Sequence, residues 1–303
     1  MNFLWVIFTL LGAAGQTARN AMQRELTPRL GALGATLVRF LFGFPFALVF
    51  LAAVLAATHA AWPAMDTDFA LWTLLGAATQ IGGTALMLMT MEQRSFVVTV
   101  AYLKTEPVLV ALMGLTFLGD PLTAAMALAI MVALAGVALI SVKPQALTGG
   151  MKPALLGLSS AALFAASAIG YRGAILSLHQ ASFVLAATFS LAAGLTLQTV
   201  LLLAWLLLFK RGTLKAIAAL WRPSLLAGFA GAAASEFWFL AFALASAASV
   251  RTLALVEVLF AQGVTRFVFR QKTTAREAAG IVLLLASAAL IIWAASDSVA
   301  PPQ

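Results

Sequence analysis

Shifting the chain against itself by 151 positions lays residues 131–140 (MVALAGVALI) over residues 282–291 (VLLLASAALI). The same shift sets Glu106 on Glu257, each a carboxylate inside an apolar run. The hydropathy breaks divide each half into five apolar stretches. Five crossings are an odd number, so a second copy would enter a membrane upside down relative to the first. Inverted repeats of this kind place a binding site at their mutual interface, near the bilayer midplane.

Composition makes the membrane the natural solvent for such a repeat. The chain is 63% hydrophobic and 9% charged, with a mean hydropathy of +1.04. Soluble domains average about 25% charged and about 45–50% apolar residues. The expected class is therefore an all-α polytopic membrane protein. A net charge of +8 and a pI near 10.6 are also found in nucleic-acid binders, but the basic residues here stand in ones and twos at the ends of apolar runs. That distribution suits topogenic charges beside anionic headgroups, so lipid rather than nucleic acid is the expected partner. There is no cysteine, and the two histidines, His59 and His179, fall in expected loops. Disulfides and thiolate metal sites are excluded, buried bis-His haem is not expected, and no cofactor or metal is called for. The start, residues 1–5 (MNFLW), lacks a basic n-region and runs on past the length of a signal h-region, so it reads as the first span.

A span needs about 20 apolar residues. Ten are expected: 3–23, 31–57, 69–91, 96–118, 122–142, 153–177, 181–209, 224–245, 248–269 and 275–295. They fall into two five-helix repeats, 1–145 and 152–296. The breaks carry Pro, Gly and charge, as at Thr27-Pro28-Arg29, Gly119-Asp120-Pro121, Lys143-Pro144 and Arg222-Pro223. Loops following odd-numbered spans hold Arg24, Arg29, Arg94, Lys143, Lys152, Lys210, Arg211, Lys215, Arg222, Arg270, Lys272 and Arg276. Those following even-numbered spans hold Asp66, Asp68, Asp120 and both histidines, with no Lys or Arg. Basic short loops stay cytoplasmic, which puts both termini outside.

Two segments resemble a known family. Residues 102–108 (YLKTEPV), then 117–123 (FLGDPLT) and an apolar span containing Gly136, resemble the end of an EamA-type repeat. Val38-Arg39-Phe40 resembles that family's arginine-bearing second helix. In the second half, residues 255–258 (LVEV) keep the carboxylate without the proline, and residues 270–274 (RQKTT) replace the acidic turn. The chain thus resembles the ten-span EamA branch of the drug/metabolite transporter superfamily over nearly its whole length. The resemblance implies two inverted five-helix repeats around a central cavity and export of small metabolites, such as amino acids, related compounds or drugs. It also implies cytoplasmic termini, against the loop charges.

Ionisable residues within spans are costly and usually face an interior. Arg19, Arg172, Arg251 and Arg266 lie near span ends and read as snorkelling to headgroups; Arg39 sits deeper, and the resemblance favours it as a cavity or ion-pair residue. Glu106 and Glu257 are pseudo-symmetric and mid-span. Tyr102 is one turn before Glu106 and shares its face, whereas Lys104, two residues away, must point elsewhere. Glu236 beside Trp238 would make a cradle for an amino-bearing ligand through charge and cation–π attraction, or else pair with Arg251. The candidate cavity residues are therefore Arg39, Tyr102, Glu106, Glu236, Trp238 and Glu257. Pro45 and Pro107 would bend the second and fourth spans. The fifth and tenth spans have almost no polar interior positions and read as scaffold, lipid-facing or dimer-forming helices.

These features favour a secondary transporter in a bacterial inner membrane, monomeric or homodimeric, that alternates access to a small-molecule substrate. An enzyme would need an intramembrane His, Cys or paired-Asp constellation, which the chain lacks. A channel or scaffold does not account for an asymmetric internal duplication. No Gly-x-x-x-x-Gly-Lys-Ser/Thr stretch is present, so ATP is not the direct energy source. A periplasmically active phosphatase fused after Gln303 should be active if the loop charges set orientation; an inactive fusion there would show that the family orientation prevails.

Overall fold

The computed structural model describes residues 3–93, 96–141, 151–180, 182–260 and 274–297, and among these all regular structure is helical. Chain chemistry explains where the longest helical stretch divides. Leu4–Thr58 is hydrogen-bonded almost throughout but contains one non-helical residue, Gly31, at φ 67° and ψ 167°. Only glycine enters that region without strain. A straight helix of this length would reach about 80 Å at 1.5 Å per residue. Instead the Gln23 side chain donates to the Ala35 carbonyl at 3.1 Å, which is possible only where the chain folds back. Gly31 is therefore the apex of a hairpin between α1 (4–30) and α2 (32–58). The sequence placed this turn at Thr27-Pro28-Arg29. In fact the chain stays helical through Pro28, and the reversal falls at Gly31, whose backbone conformation glycine alone adopts without strain.

After the hairpin come α3 (Thr67–Gln93), α4 (96–118, interrupted at 104–105), α5 (Ala124–Ser141), α6 (Met151–Ser177) and α7 (Phe183–Phe209). Next are the short amphipathic α8 (Arg211–Ala219), α9 (Trp221–Leu244), α10 (247–260) and α11 (Ala275–Asp297). The α8 segment turns Ile217 inward and leaves Arg211 exposed, as suits a helix lying at an interface. Among the described residues, seven helices, counting Leu4–Thr58 as one, are long and apolar enough to cross a membrane, and Ala124–Ile140 is a shorter apolar helix. These helices mark an integral membrane protein. Its surface is apolar, with Leu71, Leu112, Leu208, Phe229 and Leu285 exposed, while arginines and hydroxyls are buried. The sequence's ninth span extends into residues 261–269, and these, with Arg266, Arg94 and the 142–150 linker, lie outside the described residues.

Small residues bring the helices together. A Cβ at Gly15 would stand 2.9 Å from Ala234 Cβ, and one at Gly12 would stand 3.1 Å from the Trp238 ring, so α1 and α9 run antiparallel. The α3–α6 pair meets in the same way: Gly76 faces Tyr171 at 2.9 Å and Gly83 faces Phe164 at 3.3 Å. Such close approach is how helices gain dispersion contact where lipid offers no hydrophobic drive. The α5 and α11 helices, read from the sequence as scaffold, lipid-facing or dimer-forming, pack on each other and leave Leu128, Met131, Val282 and Leu285 exposed. Gly136 and Gly280 approach backbone to backbone, and Ser287 Oγ donates to the Ala129 carbonyl at 2.7 Å. Pro45, expected to bend α2, lies inside it with no non-helical residue there.

The tightest of these approaches is Gly228, where an added Cβ would stand 2.4 Å from Phe42 Cβ. Gly228→Ala should cost about 1–3 kcal/mol through overpacking. Gly212→Ala, with nothing within 4 Å, should be neutral or slightly stabilising. Thermal unfolding in detergent distinguishes the two; equal effects would contradict the packing described.

Candidate functional site

Two interrupted helices carry the charges. Pro107 has no N–H to offer the Leu103 carbonyl, and its ring crowds the preceding turn. The backbone there tightens to Lys104 N–H→Ala101 O and Thr105 N–H→Tyr102 O, both 3.2 Å, before helix resumes at Glu106. In α10 the helix Ala247–Leu253 likewise tightens to a 3₁₀ turn at Ala254–Val256, immediately before Glu257.

The ionic groups on these two helices pair crosswise. Lys104 Nζ of α4 binds Glu257 Oε1 of α10. Arg251 Nε of α10 lies 2.8 Å from Glu106 Oε1 of α4. Each helix thus contributes one cation and one carboxylate, and each takes its counter-ion from the other. Lys104, Glu106 and Glu257 are all buried, at 8–9% exposure. The Arg251 guanidinium also sits 4.5 Å over the Trp238 ring and 5.7 Å from that of Phe242, an attraction that strengthens with desolvation.

Two adjoining cavities open beside these pairs. The first, of about 40 Å³, is lined by Gln16, Arg19, Lys104, Glu106, Arg251 and Glu257 among others. The second, of about 20 Å³, adds Arg39, Gln80, Tyr171, Ser235 and Trp238, and shares Gln16, Arg19, Phe164 and Arg251 with the first. Each has room for one to a few waters, since one water needs roughly 10–15 Å³. Neither has room for more than water around its polar centre. Further along, Arg172 of α6 fastens one end of the bundle. It donates to both Asp120 oxygens at 3.0 and 3.1 Å, and to the Phe242 and Ala245 carbonyls at 2.6 Å. Those carbonyls end α9, where the helix dipole favours a cation. Gly119, at φ 66°, turns the chain so that Asp120 can meet the guanidinium.

Of the residues singled out in the sequence, Arg39, Glu106, Glu257 and Trp238 line the cavities. Tyr102 instead lies against Gly157 of α6, within 2.7 Å of where a Cβ would stand. Glu236 is turned to α7 and accepts from Thr188 Oγ1 at 2.5 Å. The cation on Trp238 is Arg251, whose ion-pair partner among the described residues is Glu106 rather than Glu236. Arg19, Arg172 and Arg251 do not snorkel: Arg19 is 2% exposed, and the other two are held in ion pairs. Position near a helix end misled because these helices overlap in depth with neighbours that bury them. Lys104, expected to point elsewhere than Glu106, lines the same cavity as that residue and takes its ion-pair partner, Glu257, from another helix. Among the described residues no three His, Cys, Asp or Glu side chains gather as a metal site.

No family model matches the chain, and no curated protein does. Several solved structures do match. One, described as "Crystal structure of protein", superposes with a TM-score of 0.62 at 14% identity, covering 95% of this chain and 99% of that one. The likeness is one of fold.

Removing one member of a buried ion pair strands the other. Lys104→Met should destabilise the protein by about 3–5 kcal/mol, whereas Lys104→Met with Glu257→Gln should recover most of that loss. Unfolding of the two variants in detergent measures this; a double variant no better than the single would rule the pairing out.

Proposed function

We propose that this chain is a secondary transporter of small metabolites, working by alternating access at the cavity between its two halves. The observation that carries this reading is the crosswise pairing of α4 and α10 at helix interruptions that line an enclosed polar cavity. Interrupted helices at mid-depth are tolerated in membranes where they face a protein-enclosed site, and carriers place substrate there.

The proposal includes ten crossings in two inverted repeats, residues 1–145 and 152–296, in a bacterial plasma membrane. Support comes from the antiparallel matches. With five helices to each half, α1–α9 and α3–α6 are equivalent pairs, and α4–α10 and α5–α11 pair helices of equal rank. All four pairs run antiparallel, as insertion of one half upside down requires. The resemblance to EamA-type repeats points the same way.

In this reading the Arg172 cluster closes one end of the path. Opening there means releasing Asp120 and the α9 carbonyls together. The α4–α10 ion pairs would then be the central latch, exchanging fixed partners for water or substrate as the halves rock. Both cavity carboxylates are already bound to fixed cations, which favours an uncoupled carrier over a proton antiporter.

Proteoliposomes preloaded with a mixture of unlabelled amino acids should take up the labelled mixture by saturable counterflow. Arg172→Ala, which removes all four bonds that close one end, should change the rate by at least about tenfold, since even one charge-assisted bond contributes about 1.5–3 kcal/mol. Linear, non-saturating flux would indicate a channel, and no flux of any probe would remove the transport reading.

A further inference from the structure

We infer that the ligand of this cavity carries an oxyanion, a carboxylate or phosphate, bound by Arg19 and Arg39. The inference rests on the transport reading only for the ligand's fate, not for its binding. Among the described residues, four cationic side chains, Arg19, Arg39, Lys104 and Arg251, line the two cavities against two carboxylates, Glu106 and Glu257. Both carboxylates are taken, by Lys104 and Arg251. Arg19 and Arg39 are left over.

Among the described residues neither of the two has a carboxylate within ion-pair distance, though they are 2% and 3% exposed. Arg19 bonds only the Asn20 amide oxygen, at 3.2 and 2.9 Å, and its Nη1 is buried without a partner. Arg39 donates from Nη1 to Thr84 Oγ1 at 3.0 Å, and its Nε is buried without one. The remaining acids are placed elsewhere. Asp120 holds Arg172, Glu236 faces Thr188, Glu277 is bonded to Thr274, and Glu25, Asp66, Asp68 and Glu92 are exposed. Asp297 ends the last helix.

The two arginines also converge. The Arg19 Cδ and Arg39 Cγ atoms both pass 3.4 Å from the point where a Cβ would stand on Gly231, so the absence of a side chain there brings both stems over one spot of α9. Two guanidinium groups converging in a low-dielectric interior repel each other and each lacks counter-charge. A planar or tetrahedral oxyanion matches their donor forks and satisfies both at once. A cationic amine would instead add to the surplus of positive charge. This assigns the site to organic anions or zwitterions that present a carboxylate or phosphate, and against the amino-group cradle at Glu236 and Trp238 expected from sequence.

The test is a binding panel on the purified full chain in uncharged detergent, at ionic strength matched with chloride. The probes are succinate, inorganic phosphate, alanine, ethylammonium and micelles doped with phosphatidylglycerol. Succinate, phosphate or alanine should raise the melting temperature in a saturable way, and ethylammonium should not. Arg39→Gln and Arg19→Gln should each weaken that binding at least about tenfold, the loss of a charge-assisted bond. Ligand-free, these variants should melt no lower than the parent, because they relieve like-charge repulsion; Arg222→Gln, outside the cavity, should leave binding unchanged. The assignment is overturned if ethylammonium stabilises and no oxyanion does, if only the anionic lipid stabilises, or if oxyanion binding survives both glutamine variants. Should a variant fail to fold, the parent's choice between oxyanion and amine still decides. Oxyanion binding without counterflow would keep this site and remove the transport reading; counterflow of an amine without oxyanion binding would do the reverse.

Discussion

A charge taken from water into a membrane protein must find a counter-charge or a strong set of hydrogen bonds, because the idealised cost of leaving it bare is of order 20 kcal/mol per ion. The interior here is organised by that demand. Lys104, Glu106, Arg251 and Glu257 answer it mutually across two helices, and Arg172 answers it with Asp120 and two carbonyls at a helix end. Neither α4 nor α10 could bury its own charges alone. Lys104 and Glu106 flank the interruption of α4 and line one cavity, and each takes its ion-pair partner from α10. The crossing of α4 over α10 is therefore set by ionic chemistry as well as by packing.

The helical breaks belong to the same requirement. A continuous helix keeps all its carbonyls engaged and projects side chains only outward. Pro107 interrupts α4 at the level of Lys104 and Glu106, and the 3₁₀ turn does so in α10 just before Glu257. Both interruptions lie where charged side chains and cavity walls can meet the freed backbone groups, which lipid could not do. In α2 the proline at 45 lies in a segment that remains helical, so proline by itself does not make a site.

Much of this was legible in the sequence, and the rest was hidden for identifiable reasons. Apolar run lengths located nearly every helix, because hydropathy sets span length directly. The hairpin apex was misplaced by three residues, since Pro28 carries a stronger break signal than a lone glycine, although only Gly31 can adopt the required φ. Glu106, Glu257, Arg39 and Trp238 stood out as polar or aromatic anomalies in apolar runs and do line the cavities. Arg19 and Arg251 were passed over because end-of-helix position says nothing about which neighbour covers that end. Glu236 and Trp238, two residues apart, were grouped by adjacency, yet on a helix that spacing points side chains apart. Cross-helix partners such as Lys104 and Glu257 are 153 positions apart, and no local pattern reveals them.

Two kinds of contact divide the molecule into parts with different capacity to move. The glycine-lined faces of α1 on α9 and α3 on α6 hold backbones so close that a displacement of even an ångström would lose dispersion contact or force a clash. Those pairs suit rigid units. The ionic contacts differ, because a charge leaving its partner can be met by water or by another ion at little net cost once the site is wet. Arg251 illustrates this freedom, resting on Trp238 and Phe242 while bound to Glu106, so that it keeps an aromatic seat if the carboxylate withdraws. In the proposed carrier, rocking would then concentrate at α4 and α10 and at the Arg172 cluster. The tightly packed pairs would carry the motion without repacking. An oxyanion at Arg19 and Arg39 would act on that balance directly, since it neutralises the surplus positive charge beside Arg251 and so changes how strongly Arg251 is held to Glu106.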